Sequence, residues 1–315
     1  MATHYLDFEK PIAELEAKIE ELSLLSSTAG SFDSEIEGLR KKAEQLRRKT
    51  YADLDPWKKT QVARHPQRPH LVDYLEGLFT DWTELRGDRQ FGDDQAILGG
   101  LARFRSQACL VIGHEKGHDT ATRLTHNFGM ARPEGYRKAV RLMDMAERFG
   151  LPVLTFVDTA GAYPGLGAEE RGQAEAIARS TERGLTLEVP MIATITGEGG
   201  SGGAIALAAA NRVLMLEHSI YSVISPEGAA SILWRDGARA QDAAAAMKIT
   251  GPDLVGLKIV DRIVQEPVGG AHSDPQAAIQ AVGDALEDEL RTLSALSPEA
   301  LRRQRADRFY AIGRA

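Results

Sequence analysis

Cysteine is nearly absent, with Cys109 alone among 315 residues. A single thiol forms no internal disulfide and builds no cysteine-rich zinc module. Its setting, Cys109-Leu110-Val111-Ile112, reads as a buried strand, so packing is its expected role, not nucleophilic chemistry. No uninterrupted apolar run reaches the length that spans a bilayer, and the first residues carry no signal-peptide core. A soluble, cytoplasmic protein is the expectation. Positive charge is also in deficit: a formal net charge of -7 argues against a dedicated nucleic-acid site. The remaining composition, 43% hydrophobic and 26% charged, is that of a globular chain able to bury a substantial core.

The first 55 residues read as a separate architectural piece. Ile12, Leu15, Ile19 and Leu22 keep a helical spacing, as do Ile36, Leu39, Ala43 and Leu46. The string Ser26-Ser27-Thr28-Ala29-Gly30-Ser31 separates them as a turn, and Ser34 with Glu37 has the pattern of a capping box. This predicts an antiparallel helical hairpin over 1–55, too small to be stable alone and packed on the domain formed by 56–315 or on a partner. Its basic tail, from Arg40 to Lys49, is interleaved with glutamate and reads as a solvated face. Trp57 to Pro69 reads as a connector. His65 and His70 are separated by two prolines, which forbids a helical pair of metal ligands. Leu71, Leu75, Leu78, Trp82 and Leu85 then predict one amphipathic helix.

From Ala96 onward, strands alternate with helices, the pattern of an α/β domain with parallel crossovers. Predicted strands cover Leu110 to Ile112, Val153 to Val157, Met191 to Thr196, Val213 to Leu216, Tyr221 to Ile224 and Ile263-Val264. A polar loop is expected over His114 to Asn127. Pro133-Glu134 and Pro226-Glu227 open helices, and Gly150 stops the first of them. Further helices are predicted over Gln173 to Ser180, Ala204 to Ala210, Ala243 to Met247 and Ala277 to Leu293.

Two glycine-rich turns carry the chemical information: Asp158-Thr159-Ala160-Gly161-Ala162-Tyr163-Pro164-Gly165 and Gly197-Glu198-Gly199-Gly200-Ser201-Gly202-Gly203. Each follows a short apolar run and leads into a helical stretch. Glycine lets a ligand approach the backbone, and a starting helix offers unpaired N–H groups aided by the helix dipole. Such donors suit a carbonyl oxygen that gains negative charge during acyl or carboxyl transfer. The second turn also matches G-x-S-x-G, and Ser201 is followed by Asp236, Asp242, Asp253, Asp261 and then His272. That order keeps a serine hydrolase open as an alternative. A third reading makes both turns packing devices on a non-catalytic scaffold. Neither turn is a phosphate loop, because G-x-x-x-x-G-K-[ST] is absent.

These residues resemble a known family. Tyr163-Pro164-Gly165, Gly197 to Gly203, Ser225-Pro226-Glu227-Gly228, Asn127-Phe128-Gly129-Met130, Pro133 to Ala139 and Gly269-Gly270-Ala271-His272 resemble the carboxyltransferase alpha subunit of bacterial acetyl-CoA carboxylase. So do Leu6-Asp7-Phe8-Glu9, Pro11 to Glu16 and Ala63 to Pro69, so the resemblance runs from about residue 5 to the C-terminal helices. One departure is Ala160, where the family usually has proline. The resemblance implies a crotonase-like fold, a spiral of ββα units, behind the N-terminal hairpin. It implies transfer of a carboxyl group from N1-carboxybiotin to acetyl-CoA, giving malonyl-CoA for fatty acid biosynthesis. It further implies that no cofactor is bound covalently and that carboxybiotin arrives on the biotin carboxyl carrier protein, charged by biotin carboxylase. The resemblance also implies a site shared with a beta subunit that carries the zinc, in an assembly of two alpha and two beta chains. By this resemblance Gly202 and Gly203 form a backbone oxyanion hole, and Gly161, Ala162, Tyr163, Pro164, Gly165, Gly199 and Gly200 line the carboxybiotin pocket.

Overall fold

A computed structural model describes residues 4–29 and 32–314. Four helices, α1 (Lys10–Ala29), α2 (Asp33–Ala52), α3 (Pro56–Ala63) and α4 (Leu71–Leu78), precede strands β1 (Phe79–Glu84), β2 (Ile97–Phe104) and β3 (Gln107–His114). Helices α5 (Thr120–Thr125) and α6 (Pro133–Phe149) lead to β4 (Val153–Thr159), and α7 (Leu166–Glu170) and α8 (Gln173–Thr186) lead to β5 (Met191–Gly200). Then come α9 (Ser201–Ala208), β6 (Arg212–Leu216), β7 (Ile220–Ser222), α10 (Pro226–Trp234), α11 (Ala240–Met247) and α12 (Gly251–Gly256). Strand β8 (Arg262–Val264) and helices α13 (Pro275–Leu293) and α14 (Pro298–Ala311) complete the order.

The sheet runs β1-β2-β3-β4-β5-β6-β8, with β7 paired to β5 off this path. The first three strands form an antiparallel meander, and those from β3 onward pair in parallel. Both faces of the central strands are covered, so these strands read as continuous apolar runs and not as alternating ones. Val153 and Val157 of β4, with Met191, Ala193 and Ile195 of β5, pack under α6, α8 and α9. Leu154 and Phe156 of β4, with Ile192 of β5, face α4 and α13 on the other side. The pleat alone sorts neighbouring residues into two cores. Strand β5 also changes partner along its length: Ile192 to Ile195 pair with β6, whereas Glu198 to Gly200 pair with β7. That branching sets β7 off the main path of the sheet, beside the carboxyl end of β5.

Several sequence expectations hold. Helix α6 opens on Pro133 and ends at Gly150, whose φ of 64° is the left-handed conformation that glycine adopts readily. Helix α10 opens on Pro226, with the Ser225 hydroxyl accepting from the Gly228 N–H at 3.1 Å. Between α1 and α2, Ile12, Ile36 and Ala43 are buried along the expected seam. The basic tail is laced by helical ion pairs, Lys41 to Glu37 at 2.7 Å and Arg48 to Glu44 at 2.6 Å, as a solvated face should be.

Other expectations are corrected. The turn placed over Ser26 to Ser31 is helical through Ala29, and Gly30 and Ser31 lie outside the described residues. Ser34 sits inside α2, which starts one residue earlier behind Phe32, so it forms no capping box. The supposed connector contains α3. The helix expected to reach Leu85 stops at Leu78, and Trp82 lies in β1, because pairing with β2 outweighs the helical period. The loop over His114 to Asn127 contains α5, and β2, α7, α12 and α14 were not foreseen. The second glycine run is not a turn up to Gly200: it is strand, and the chain bends only at Ser201.

Candidate active site

Parallel strands deliver their carboxyl ends to one edge of a sheet, and there β4 and β5 place the two glycine segments in contact. After Thr159 the chain passes through Gly161 with φ +149°, and the Thr159 hydroxyl holds this bend. It accepts from the Gly161 N–H at 3.1 Å and donates to the Gly161 carbonyl at 2.8 Å. A Cβ on Gly203 would lie 2.9 Å from the Ala162 nitrogen, and one on Gly200 would lie 2.2 Å from the Ala160 carbonyl oxygen. Glycine is required at both positions for close packing. The scaffold reading therefore describes part of their work. Gly199 is a strand residue against the Tyr221 ring.

Helix α9 starts at Ser201, whose φ of +52° puts a residue other than glycine in the left-handed region. The N–H groups of its first turn have no acceptor within the helix. Ser201 and Gly202 line a cavity of about 340 Å³ with apolar walls from Ile205, Val223, Leu254 and Ile259, and with Tyr221 and Ser222 beside them. Gly203 lies one residue deeper, buried against the Gly161–Ala162 peptide. Tyr163 to Gly165 are not among the walls of this cavity. The Tyr163 backbone is pinned by Ala131 and Gln173, and the Arg132 guanidinium lies 4.9 Å over its ring. Pro164 is exposed, and Gly165 precedes α7 and leaves room for the Tyr163 ring.

No hydrolase triad assembles. Among the described residues the Ser201 hydroxyl makes no hydrogen bond, and His272 stacks on His65 with ring centroids 3.7 Å apart. Asp242 pairs with Arg239, and Asp261 with Arg308. Glu9, His65 and His272 bring ligand-type atoms within 4.8 Å of one another. Both His65 nitrogens are engaged, however. Nδ1 accepts from the Gln67 N–H at 3.2 Å, so Nε2 carries the hydrogen and donates to the His4 carbonyl at 3.0 Å. Burial lowers His65 to about 4 and His272 to about 3, so the stacked rings are neutral.

A second cavity of about 240 Å³ meets the first glycine segment at Ala160; its lining includes the charged or polar side chains of Arg64, His70, Lys116, Asp158 and Glu198. Burial alone would raise the Asp158 pKa, but Lys116 at 2.6 Å, with His70 beside it, outweighs burial and holds the carboxylate well below its usual range. Arg64 of the α3 end joins Glu198 on β5 to Glu227 at the start of α10, each at 2.6 Å. Arg68 pairs twice with Glu266 at 2.8 Å and donates to the Thr196 carbonyl at 2.8 Å, with both side chains buried. Sequence reasoning passed over Lys116, Arg64 and these partners. The available signal was a charged residue at the end of an apolar run, as Asp158 follows Val157, or one set between glycines, as Glu198 is.

The fold is of the crotonase-like type, and glycine segments packed together at the start of a helix over an apolar cavity suit the chemistry of carboxyl transfer. The family described as "Acetyl co-enzyme A carboxylase carboxyltransferase-like" matches residues 5–313. The chain belongs to that family, as an alpha subunit. It is similar to the acetyl-coenzyme A carboxylase carboxyl transferase subunit alpha of Caulobacter vibrioides, 77% identical over 100% of this chain and 99% of that protein. It is 69% identical to the subunit of the same name from Phenylobacterium zucineum, again over 100% and 99%. Among solved structures it resembles transcarboxylase 12S crystallised with methylmalonyl-coenzyme A and methylmalonic acid, with TM-score 0.59 and 15% identity. The match covers 72% of this chain and 42% of that one, a likeness of fold. No helix among the described residues is long and apolar enough to cross a membrane.

Proposed function

We propose that this chain is the half of acetyl-CoA carboxylase carboxyltransferase that receives carboxybiotin. The carboxyl group leaves N1 of biotin, carried by the biotin carboxyl carrier protein and charged by biotin carboxylase, and bonds to the methyl carbon of acetyl-CoA. The methyl proton passes to biotin N1, so atoms and charge balance and malonyl-CoA forms. The observation that carries the reading is Gly202 at the open start of α9, at the mouth of an apolar cavity. Its N–H and that of Gly203 would hold the ureido oxygen, whose negative charge grows as the carboxyl leaves N1. Apolar walls suit the flat biotin ring, and a few fixed donors orient it. Gly161 and Ala162 back the oxyanion donors, Gly199 and Gly200 bring the strand close enough, and Tyr163, Pro164 and Gly165 shape the approach of the carrier.

In this reading residues 1–55 form a hairpin apart from the catalytic domain, 56–315. The beta subunit supplies most of the CoA site and the zinc, and two alpha and two beta chains assemble in the cytoplasm. The test is malonyl-CoA-dependent carboxyl transfer to a biotin analogue, measured with the pure chain and after addition of its beta subunit. Turnover is expected only with both. Robust turnover by the alpha chain alone would overturn the shared site.

A further inference from the structure

We propose that Asp158, neutralised by Lys116, is a positioning residue that sets the two glycine segments in register for carboxyl transfer. The ladder between β4 and β5 pairs Val157 with Ile195 but Thr159 with Gly199, so β5 carries extra residues opposite Asp158. Such a bulge leaves backbone donors without ladder partners. Asp158 Oδ1 accepts from the Glu198 N–H at 2.9 Å and so replaces the missing ladder bond. The carboxylate enters because residue 197 is glycine: a Cβ there would lie 2.5 Å from Oδ1. The anchor lies immediately before Gly199 to Gly203, a segment that β7 and the first glycine segment hold further on.

Lys116 is itself held by an unusual support. Asn127, Phe128 and Gly129 have successive φ values of 48°, 55° and 74°. A Cβ on Gly129 would lie 2.9 Å from both the Asp158 carbonyl oxygen and Lys116 Cγ. Strained backbone of this kind persists where surrounding structure over-determines it, and here it shapes a shelf under the ion pair. Other groups around the carboxylate do not replace Lys116. His70 Nδ1, 3.6 Å from Oδ2, also lowers the carboxylate, but it stands farther off than Lys116 at 2.6 Å. His114 on β3 is lowered by burial to about 4 and is neutral, Tyr74 on α4 is raised by burial, and Arg68 is paired with Glu266. Without Lys116, burial should outweigh the remaining lowering by His70 and the Glu198 N–H, and the carboxylate should take up a proton in the accessible pH range.

This inference rests on the carboxyl-transfer reading, and the test is made on the assembled alpha–beta complex. Asp158→Ala is expected to lower kcat about a hundredfold with KM for acetyl-CoA little changed, as for a misplacement of about 1 Å. Asp158→Asn keeps an acceptor for Glu198 and should recover about tenfold of that loss. Lys116→Met should approach wild-type kcat near about pH 8.5 and lose activity toward about pH 6, an acid limb that wild type lacks. The double variant Asp158→Asn with Lys116→Met should lack the limb. A Lys116→Met profile that overlays wild type, or an Asp158→Ala complex that loses only thermal stability, overturns the proposal. If Asp158→Ala does not assemble, the Lys116→Met and double-variant profiles decide by the same criteria. If the wild-type complex transfers no carboxyl group, the functional reading fails separately. Hydrogen exchange across Gly197 to Gly203 then decides: faster exchange at low pH in Lys116→Met alone supports the anchor, and no difference from wild type overturns it.

Discussion

Gly203 and Ala162 pack backbone to backbone: a Cβ on Gly203 would lie 2.9 Å from the Ala162 nitrogen, inside any real contact distance. A donor at Gly203 and the close fit of α9 on the first glycine segment therefore share one position. At Gly202 a Cβ would meet only the Ile177 side chain, at 3.4 Å.

The two glycines should separate packing from catalysis. Gly203→Val is expected to lower melting temperature, assembly and turnover together. Gly202→Ala should keep stability or gain up to about 1 kcal/mol from helix propensity. Gly202→Val should crowd the seat of the ureido oxygen at the cavity mouth and turn the N–H away, and so lower turnover by about a hundredfold. Thermal melts and carboxyl-transfer rates on the same preparations check this. Full activity in Gly202→Val would favour packing as the sole work of the segment.

Ser201→Ala should retain most activity, because the hydroxyl has no hydrogen-bonded base and His272 is stacked on His65. The assay is paired with exposure to a fluorophosphonate. Covalent labelling at Ser201, or a loss of several orders of magnitude, would return the serine hydrolase to first place.

Arg68→Met should destabilise the chain by about 3–5 kcal/mol, because it strands the buried Glu266 carboxylate. Arg68 at present holds Glu266 at about 2 against the raising effect of burial, and it also ties the connector to β5 through Thr196. Urea unfolding measures the loss. A change below about 1 kcal/mol, the range of exposed pairs, would contradict the buried-pair assignment.

Stability should fall as pH drops from 6.5 toward about 4, in part because of His65 and His272. Their folded pKa values lie below the unfolded one, so in this window the unfolded chain binds protons that the native chain refuses. The contribution is complete above 6.5 and is lost as pH falls toward the native values. His272→Phe keeps a ring on His65 and should flatten the slope in melts taken across this range. An unchanged slope would mean that the stacked pair is not its source.

The sequence by itself determined the elements whose signals are local. Pro133 and Gly150 bound α6, the apolar runs after Pro152 and Pro190 make β4 and β5, and the glycine segments fall at the carboxyl ends of those strands. Its residue strings also carried the family. What local signals cannot contain is pairing at a distance. Trp82 continues a helical period, yet it joins β1 because β2 lies alongside. Gly197 to Gly200 look like a turn, yet they are strand because β7 supplies hydrogen-bond partners. Asp158 reads as a loop residue, and its role depends on Glu198, 40 positions away, and on a lysine from a third segment. Only the tertiary structure decided these, because burial and pairing energies arise once the chain has crossed back on itself.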